Sequence, residues 1–277
     1  MKKSKAEDRF VSFDDITSRA KEEIRKGFRG QAVIGFVDLL GFSDKIRNEW
    51  NDEKNNPLQT LMEMKVFFHL AVEKTNNEII LYDYEGEVLR TNEWPEIITV
   101  SDSFMFLKPI NDSSEENILL SIFSVISATL ELWQIAIDKG FSIRGGIDYG
   151  DVFYHKLDIV GEPFMDAYIL ESKIAKSSRT ILSDNIRKLI KENLTNINPV
   201  ILHYFQRFLN KEDDGFLSVN PLMILGHNAK ALENTMNKLN EMLDGVTSEK
   251  IINKYKGLYD TLRAQDFELT DISMFDK

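Results

Sequence analysis

Cysteine is absent from the 277 residues of the chain, which excludes disulfides, thiolate zinc sites and a cysteine nucleophile. Positive charge is also in short supply: 34 Lys and Arg stand against 45 Asp and Glu, a formal charge of -11. Diffuse attraction to nucleic acid or to anionic lipid is therefore not expected, whereas a local basic pocket stays compatible with this composition.

Long apolar runs are missing as well. The uncharged, largely apolar stretch at residues 117–130 is about fourteen residues long, and a bilayer-spanning helix needs about twenty. The basic residues near the N-terminus have no apolar segment behind them, so no secretory signal is expected. The sequence predicts a cytoplasmic, soluble protein with neither a membrane nor a nucleic acid as partner.

Two apolar stretches each carry a single carboxylate near the middle. Residues 33–42 read VIGFVDLLGF around Asp38, and residues 97–107 read IITVSDSFMFL around Asp102. A carboxylate is costly to bury in such a strand unless a positive group faces it, and a metal ion is the simplest candidate. We therefore predict a two-carboxylate metal site on neighbouring strands. The alternatives are that Asp38 caps the following helix and that Ser-Asp-Ser around Asp102 is only hairpin-turn chemistry.

The order of predicted elements indicates an α+β protein. A strand at 32–41, a helix at 58–77, a hairpin at 96–108, a helix at 114–139 and a strand, Gly-Gly kink and second strand at 141–155 follow one another. This is the βαββαβ order of the ferredoxin-like fold, an antiparallel sheet with helices packed on it. We expect an N-terminal arm or helix at 1–30, a main domain at 31–220 that holds both carboxylates, and a C-terminal helical extension at 221–277 packed on the same domain.

Four motifs in this order resemble the catalytic domain of the class III nucleotidyl cyclases. They are FVDLLGFS at 36–43, VSDSFMF at 100–106, IRGGIDYGDV at 143–152 and LDIVGEPFMDAYILES at 157–172. The resemblance implies a cyclase core in which Asp38, Asp102 and the main-chain carbonyl of Leu39 hold two Mg²⁺ or Mn²⁺ ions with a nucleoside triphosphate. It also implies that the ribose 3′-hydroxyl attacks the α-phosphorus and that pyrophosphate leaves. Backbone amides at the start of the next helix are expected to bind phosphate: Gly41, Phe42 and Ser43.

Three departures from the purine cyclases follow from the same resemblance. Met165 and Ile169 stand where those enzymes have an asparagine and a transition-state arginine, and Ile98 replaces the lysine that reads adenine. Asp158 is the counterpart of the base-reading acid, although it could equally be the cap of the helix near Gly161.

Another cation is needed if that arginine is missing. Arg144, just before Gly145-Gly146, is the first candidate, provided that strand alternation does not turn it outward. Arg47 and Lys45 in the helix after the first strand are the next candidates. We expect the acidic side chains outside the paired carboxylates to be surface or interface charges: Asp148, Asp151, Asp166 and Glu171.

The RGG strand and the absent purine determinants are similar to the bacterial Pycsar cyclases, which make cUMP or cCMP in anti-phage defence. That resemblance implies a homodimer with sites between protomers, a product that activates a separate effector, and a pyrimidine substrate, UTP being favoured over CTP. The alternatives are a catalytically inactive cyclase-like domain, a purine cyclase that makes cAMP or cGMP, a diguanylate cyclase and a palm-type polymerase.

Overall fold

The computed structural model describes residues 13–53, 56–156, 158–226, 228–264 and 272–275. Its α-helices are α1 Phe13–Lys26, α2 Phe42–Glu49, α3 Pro57–Lys74, α4 Glu115–Asp138, α5 Glu162–Ile169, α6 Asp184–Asn193, α7 Pro199–Phe208, α8 Leu222–Leu225, α9 Ala229–Leu243 and α10 Glu249–Ala264. A π-helix, Leu170–Ala175, continues α5, and a 3-10 turn spans Ile272–Phe275. Residues 1–12 of the predicted N-terminal arm lie outside the described residues.

The strands are β1 Phe28–Leu40, β2 Glu78–Tyr82, β3 Val88–Glu93, β4 Glu96–Val100, β5 Ser103–Pro109, β6 Ser142–His155, β7 Asp158–Gly161, β8 Thr180–Leu182, β9 Leu209–Lys211 and β10 Leu217–Val219. Strands β2 and β3 form a separate two-stranded hairpin.

Four strands, β4, β5, β1 and β6, lie side by side in that order and pair antiparallel. Together with α3 and α4 they form the predicted ferredoxin-like βαββαβ core, so the α+β fold class is confirmed. The sheet continues through β8, β10 and β9; β8 pairs parallel with β6, and β7 pairs with the far end of β6.

The two faces of the sheet are covered by different helices. On β1, the odd-numbered Val33, Val37 and Leu39 belong to the main core with the side chains of α4, whereas Ala32 and Ile34 pack with Ala167 of α5. Helix α4 is long and apolar enough to cross a membrane by composition, but 83% of its apolar window is buried inside the protein. It is the central core helix.

The predicted Gly-Gly kink is wrong, because β6 runs without a break from Ser142 to His155. The two glycines serve close packing. A Cβ on Gly146 would lie 2.3 Å from the Ala167 carbonyl oxygen and 2.4 Å from Leu170 Cβ. Any side chain at this position would therefore push α5 and the π-helix off the sheet.

The C-terminal helices contribute to the same core as the sheet. Leu232, Leu239 and Leu262 pack into the main apolar cluster, and the Tyr255 hydroxyl donates a hydrogen bond of 3.4 Å to the Leu40 carbonyl at the end of β1. The division of the chain at residues 30 and 220 stays a prediction.

Candidate active site

Asp38 lies two residues before the end of β1, between β5 and β6. Its register partners are Ser103 and Arg144, and the pleat places the three side chains on the α5 face of the sheet. The Ser103 hydroxyl donates to Asp38 Oδ1 over 3.1 Å, and Arg144 Nη2 donates to Oδ2 over 3.4 Å. Asp38 does not cap α2, since that helix begins at Phe42, its N-cap residue is Gly41, and no side chain caps it.

Asp102 occupies the turn between β4 and β5, directly beside Asp38. Its carbonyl oxygen accepts a 3.3 Å hydrogen bond from the Leu39 amide, and one carboxylate oxygen accepts from the Ser101 hydroxyl over 2.8 Å. Ser101 has φ 54°, a left-handed conformation that is uncommon for serine and is associated with functional turns. The turn thus delivers the second carboxylate to the end of β1, while ligation by the Leu39 carbonyl stays a prediction.

The electrostatics of the pair favour a bound cation. Burial raises the pKa of Asp38 above its usual value and the Asp102 charge raises it further, against the opposing effects of Ser103 and Arg144. Among the described residues, no group of three or more His, Cys, Asp or Glu side chains could hold a metal ion. Two carboxylates fit Mg²⁺ or Mn²⁺, because such ions are commonly bound by one or two carboxylates together with substrate phosphates.

Arg144 points to the site and not outward. Its Nε lies 2.6 Å from Glu171 Oε1, a contact whose angle is not that of a hydrogen bond. The expectation that Glu171 and Asp148 are surface charges is wrong: both are buried, whereas Asp151 and Asp166 are exposed. Burial raises the pKa of Glu171, an effect that the Arg144 guanidinium opposes.

Asp148 lies four residues along β6 from Arg144. Its Oδ1 accepts from the Ser183 hydroxyl and, over 3.4 Å, from the Asn185 amide, so it connects the sheet to the start of α6. Burial raises the pKa of this carboxyl. The spacing of apolar residues did not predict that Asp148 and Glu171 are buried. Their burial depends on contacts that α5, the π-helix and α6 make with the sheet only in the folded chain.

The turn after β1 presents the first amides of α2. Gly41 has φ 90°, and its carbonyl accepts from the amides of Asp44 and Lys45, both over 3.2 Å. The amides of Phe42 and Ser43 precede the first complete helical turn and have no intrahelical acceptor. The Phe42 side chain is buried against Phe141, so Phe42 itself offers only its backbone amide to a phosphate.

Lys65 of α3 is a second cation near the site that the sequence did not indicate. Its ammonium donates to the Ser101 carbonyl over 3.0 Å. Partial burial lowers the pKa of Lys65, and the Asp102 charge opposes that change. The other predicted cations are directed elsewhere: Lys45 contacts Glu49 and the Phe141 ring, and Arg47 contacts Asp44.

The residues expected to read the base lie elsewhere. Asp158 pairs with His155, eleven residues along β6 from Arg144, which corresponds to about 35 Å of extended chain. Ile98 is buried in β4, and Met165 is 61% exposed on α5. A triphosphate held at Asp38 would therefore not reach Asp158 of the same chain.

No protein-family model matches the sequence, and no curated protein matches it. The structure is similar to that of the guanylyl cyclase Cya2, with 16% identity over 60% of this chain and 79% of that one and a TM-score of 0.39. It is also similar to the monomeric guanylyl cyclase domain of the RhoGC fusion protein from the aquatic fungus Blastocladiella emersonii, with 13% identity, 70% and 96% covered, and a TM-score of 0.45.

A class III adenylyl cyclase-like ATP-binding protein from Pseudomonas aeruginosa is similar with 15% identity, 65% and 44% covered, and a TM-score of 0.41. Sequence identities and TM-scores this low assign neither an activity nor a substrate to this chain.

Proposed function

We propose that the protein is a metal-dependent nucleotide cyclase that converts a pyrimidine nucleoside triphosphate, UTP in preference to CTP, to its 3′,5′-cyclic monophosphate and pyrophosphate. The observation that carries this proposal is the meeting of Asp38, Asp102 and Arg144 at one end of the sheet, beside the Gly41 turn. Paired carboxylates with a nearby cation and free helix amides suit a triphosphate and its divalent ions.

Each group has a role in the proposed reaction. Asp38 and Asp102 would hold two Mg²⁺ or Mn²⁺ ions, which, when bound, lower the pKa of the ribose 3′-hydroxyl and neutralise the phosphates. Arg144 offsets charge that develops on the transferred phosphoryl group, and the amides of Phe42 and Ser43 contact phosphate oxygens. The 3′-oxygen bonds to the α-phosphorus, the bond to pyrophosphate breaks, and the hydroxyl proton passes to solvent.

The proposed pyrimidine preference is supported by the residues that replace the determinants of the purine cyclases. Ile98 is buried and offers no donor, so the lysine of the resembling purine cyclases has no substitute in β4. Met165 and Ile169 stand where those cyclases have an asparagine and a transition-state arginine, so these determinants of the purine cyclases are absent from α5 as well. The choice of UTP rests on the resemblance to the Pycsar cyclases alone, as does the proposal of a role in anti-phage defence through a cyclic-nucleotide-responsive effector.

A homodimer with its sites between protomers is part of the proposal. Asp158 is too far from Asp38 to serve the same site within one chain. We propose that a second copy in a head-to-tail arrangement supplies it. Exposed apolar side chains on β7 and α5 give such a copy a surface to cover: Val160, Met165 and Tyr168. We propose that the enzyme is cytoplasmic.

The test is to incubate the purified protein with each of the four ribonucleoside triphosphates and Mn²⁺, and to identify the products by mass spectrometry. We expect cUMP as the main product and cCMP as the second. Light scattering on the same sample should give the mass of a dimer.

Other outcomes would select among the alternatives. Cyclic AMP or cyclic GMP alone would contradict the pyrimidine preference. Nucleotide binding without any cyclic product would indicate an inactive cyclase-like domain, which the hydrophobic residues at 165 and 169 favour.

A further inference from the structure

Glu171 is buried in direct contact with Arg144, and no part of the proposed reaction accounts for it. Its side chain is 4% exposed, against 27% for Arg144 and 20% for Asp38. The guanidinium lies between two carboxylates: Nε is 2.6 Å from Glu171, and Nη2 is 3.4 Å from Asp38. The shorter contact is with Glu171, so this carboxylate competes with Asp38 for the same cation.

The local fold is built to bring Glu171 to this position. The chain changes from α-helix to π-helix at Leu170, and Glu171 is the second residue of the π-helical segment. Such segments are rare, and they are frequent at functional sites. Gly146 lets this helix approach the strand that carries Arg144 closely enough for the contact to form. A carboxylate enclosed in this way is costly unless it acts on a neighbouring charge.

Asp38 is the alternative partner for the guanidinium. If Arg144 turned fully onto Asp38, it would neutralise the carboxylate that faces Asp102 and withdraw its own charge from a phosphate. The present arrangement keeps Nε against Glu171 and leaves the Nη2 edge of the guanidinium beside Asp38.

We propose that Glu171 is a positioning residue that anchors Arg144 at Nε, so that the guanidinium stays available to a polyphosphate and Asp38 stays available to a divalent cation. This inference rests on the proposed function of the site, but it concerns binding and not turnover. It predicts that loss of the Glu171 charge has the same effect as loss of Arg144.

The experiment measures binding of inorganic tripolyphosphate in the presence of Mn²⁺ by calorimetry, which depends on neither the base nor the reaction. Glu171→Gln should weaken binding about tenfold, as expected when a close ion pair that holds the guanidinium in place is lost. Arg144→Met should weaken it by a similar factor, and the double variant should bind no more weakly than Arg144→Met alone. Glu171→Asp, which keeps the charge, should restore part of the affinity.

The sign of the effect separates positioning from simple electrostatics. Removal of a negative charge near a phosphate site would by itself tighten binding, so unchanged or tighter binding by Glu171→Gln would overturn the inference. Additive losses in the double variant would overturn it as well. If Glu171→Gln does not fold, Glu171→Asp decides alone, because its carboxylate is retracted by one methylene and binding should still be measurably weaker.

A control variant excludes a purely structural effect. Leu170→Ala removes a buried apolar side chain from the same π-helix and leaves both charged partners, Arg144 and Glu171, in the sequence. It should lower the melting temperature while leaving tripolyphosphate affinity unchanged. An equal loss of affinity in this variant would show that Glu171 acts only through helix packing. If Asp38→Asn and Arg144→Met both bind as tightly as the wild type, the proposed site itself fails; if they bind weakly and Glu171→Gln does not, only the positioning role fails.

Discussion

The two faces of the central sheet are built from the same strands but differ in kind. The face toward α4 is continuous hydrocarbon, with Val37, Phe104, Phe106 and Ile147 all fully buried. The face toward α5 alternates apolar residues with a glycine and charged side chains, among them Asp38, Arg144 and Asp148. Because successive strand residues point to opposite faces, one strand supplies both surfaces.

The α4 face therefore contributes mainly to stability, and the α5 face mainly to the chemistry of the site. Burial on the α4 face follows from the hydrophobic effect and needs no particular partner for each side chain. On the α5 face each buried charge requires a specific neighbour, since an unpaired one would cost several kcal/mol. Substitutions on the first face should therefore change the free energy of unfolding, and substitutions on the second should mainly change binding and turnover.

The largest effect is expected at the paired carboxylates. Asp38→Asn should lower kcat/KM for the cyclisation by about a thousandfold or more, because it removes an anionic ligand for the divalent ions. Stability should be unchanged or slightly higher, since the fold already raises the pKa of Asp38 and so disfavours its charge. Product formation and thermal unfolding measure the two quantities.

The matched control for that variant is Asp166→Asn on the same face, which removes an exposed carboxylate of α5. It should retain activity. Similar losses in the two variants would contradict the assignment of the site to Asp38.

Truncation of Phe106, in contrast to Asp38→Asn, should mainly lower stability. This side chain is fully buried between the sheet and α3, stacked on Phe68, so Phe106→Ala should lower the free energy of unfolding by about 3–5 kcal/mol. Phe36→Ala, on the α5 face, removes a half-buried ring that contacts Phe164 and Tyr168 and should cost less. Chemical denaturation compares the pair, and an equal or reversed ranking would remove the distinction between the faces.

A smaller effect, on both stability and binding, is expected at Gly146, where the helix that carries Glu171 packs on the sheet. Gly146→Ala should destabilise the protein by about 1–3 kcal/mol through overpacking against Ala167 and Leu170. It should also weaken Mn²⁺-tripolyphosphate binding, because the displaced helix carries Glu171. Gly257→Ala is the control: it lies in α10 with open space around it and should be neutral or stabilising by about 0.5–1 kcal/mol. Intact binding by Gly146→Ala would show that helix approach does not set the site.

The sequence predicted a large part of the fold. The apolar stretches around Asp38 and Asp102 became adjacent strands and a hairpin, as their patterns indicated, and the long helix at 114–139 is α4. The buried state of Glu171 could not be predicted, since it depends on how closely the helix that carries Glu171 packs on β6. The sequence likewise predicted a kink at Gly145-Gly146, whereas the structure shows close packing of a helix on Gly146. A glycine that bends a strand and a glycine that lets a helix pack closely have the same sequence pattern.

The amino-acid pattern by itself determined which strands carry a carboxylate and the order in which strands and helices follow one another, because hydrophobic periodicity is local information. Only the tertiary structure decided which charges meet. Arg144 and Asp38 are 106 residues apart along the chain and face each other through strand register, and Glu171 reaches them through the close approach of a π-helix over Gly146. Such contacts depend on the packing of elements distant in sequence, which no local pattern specifies.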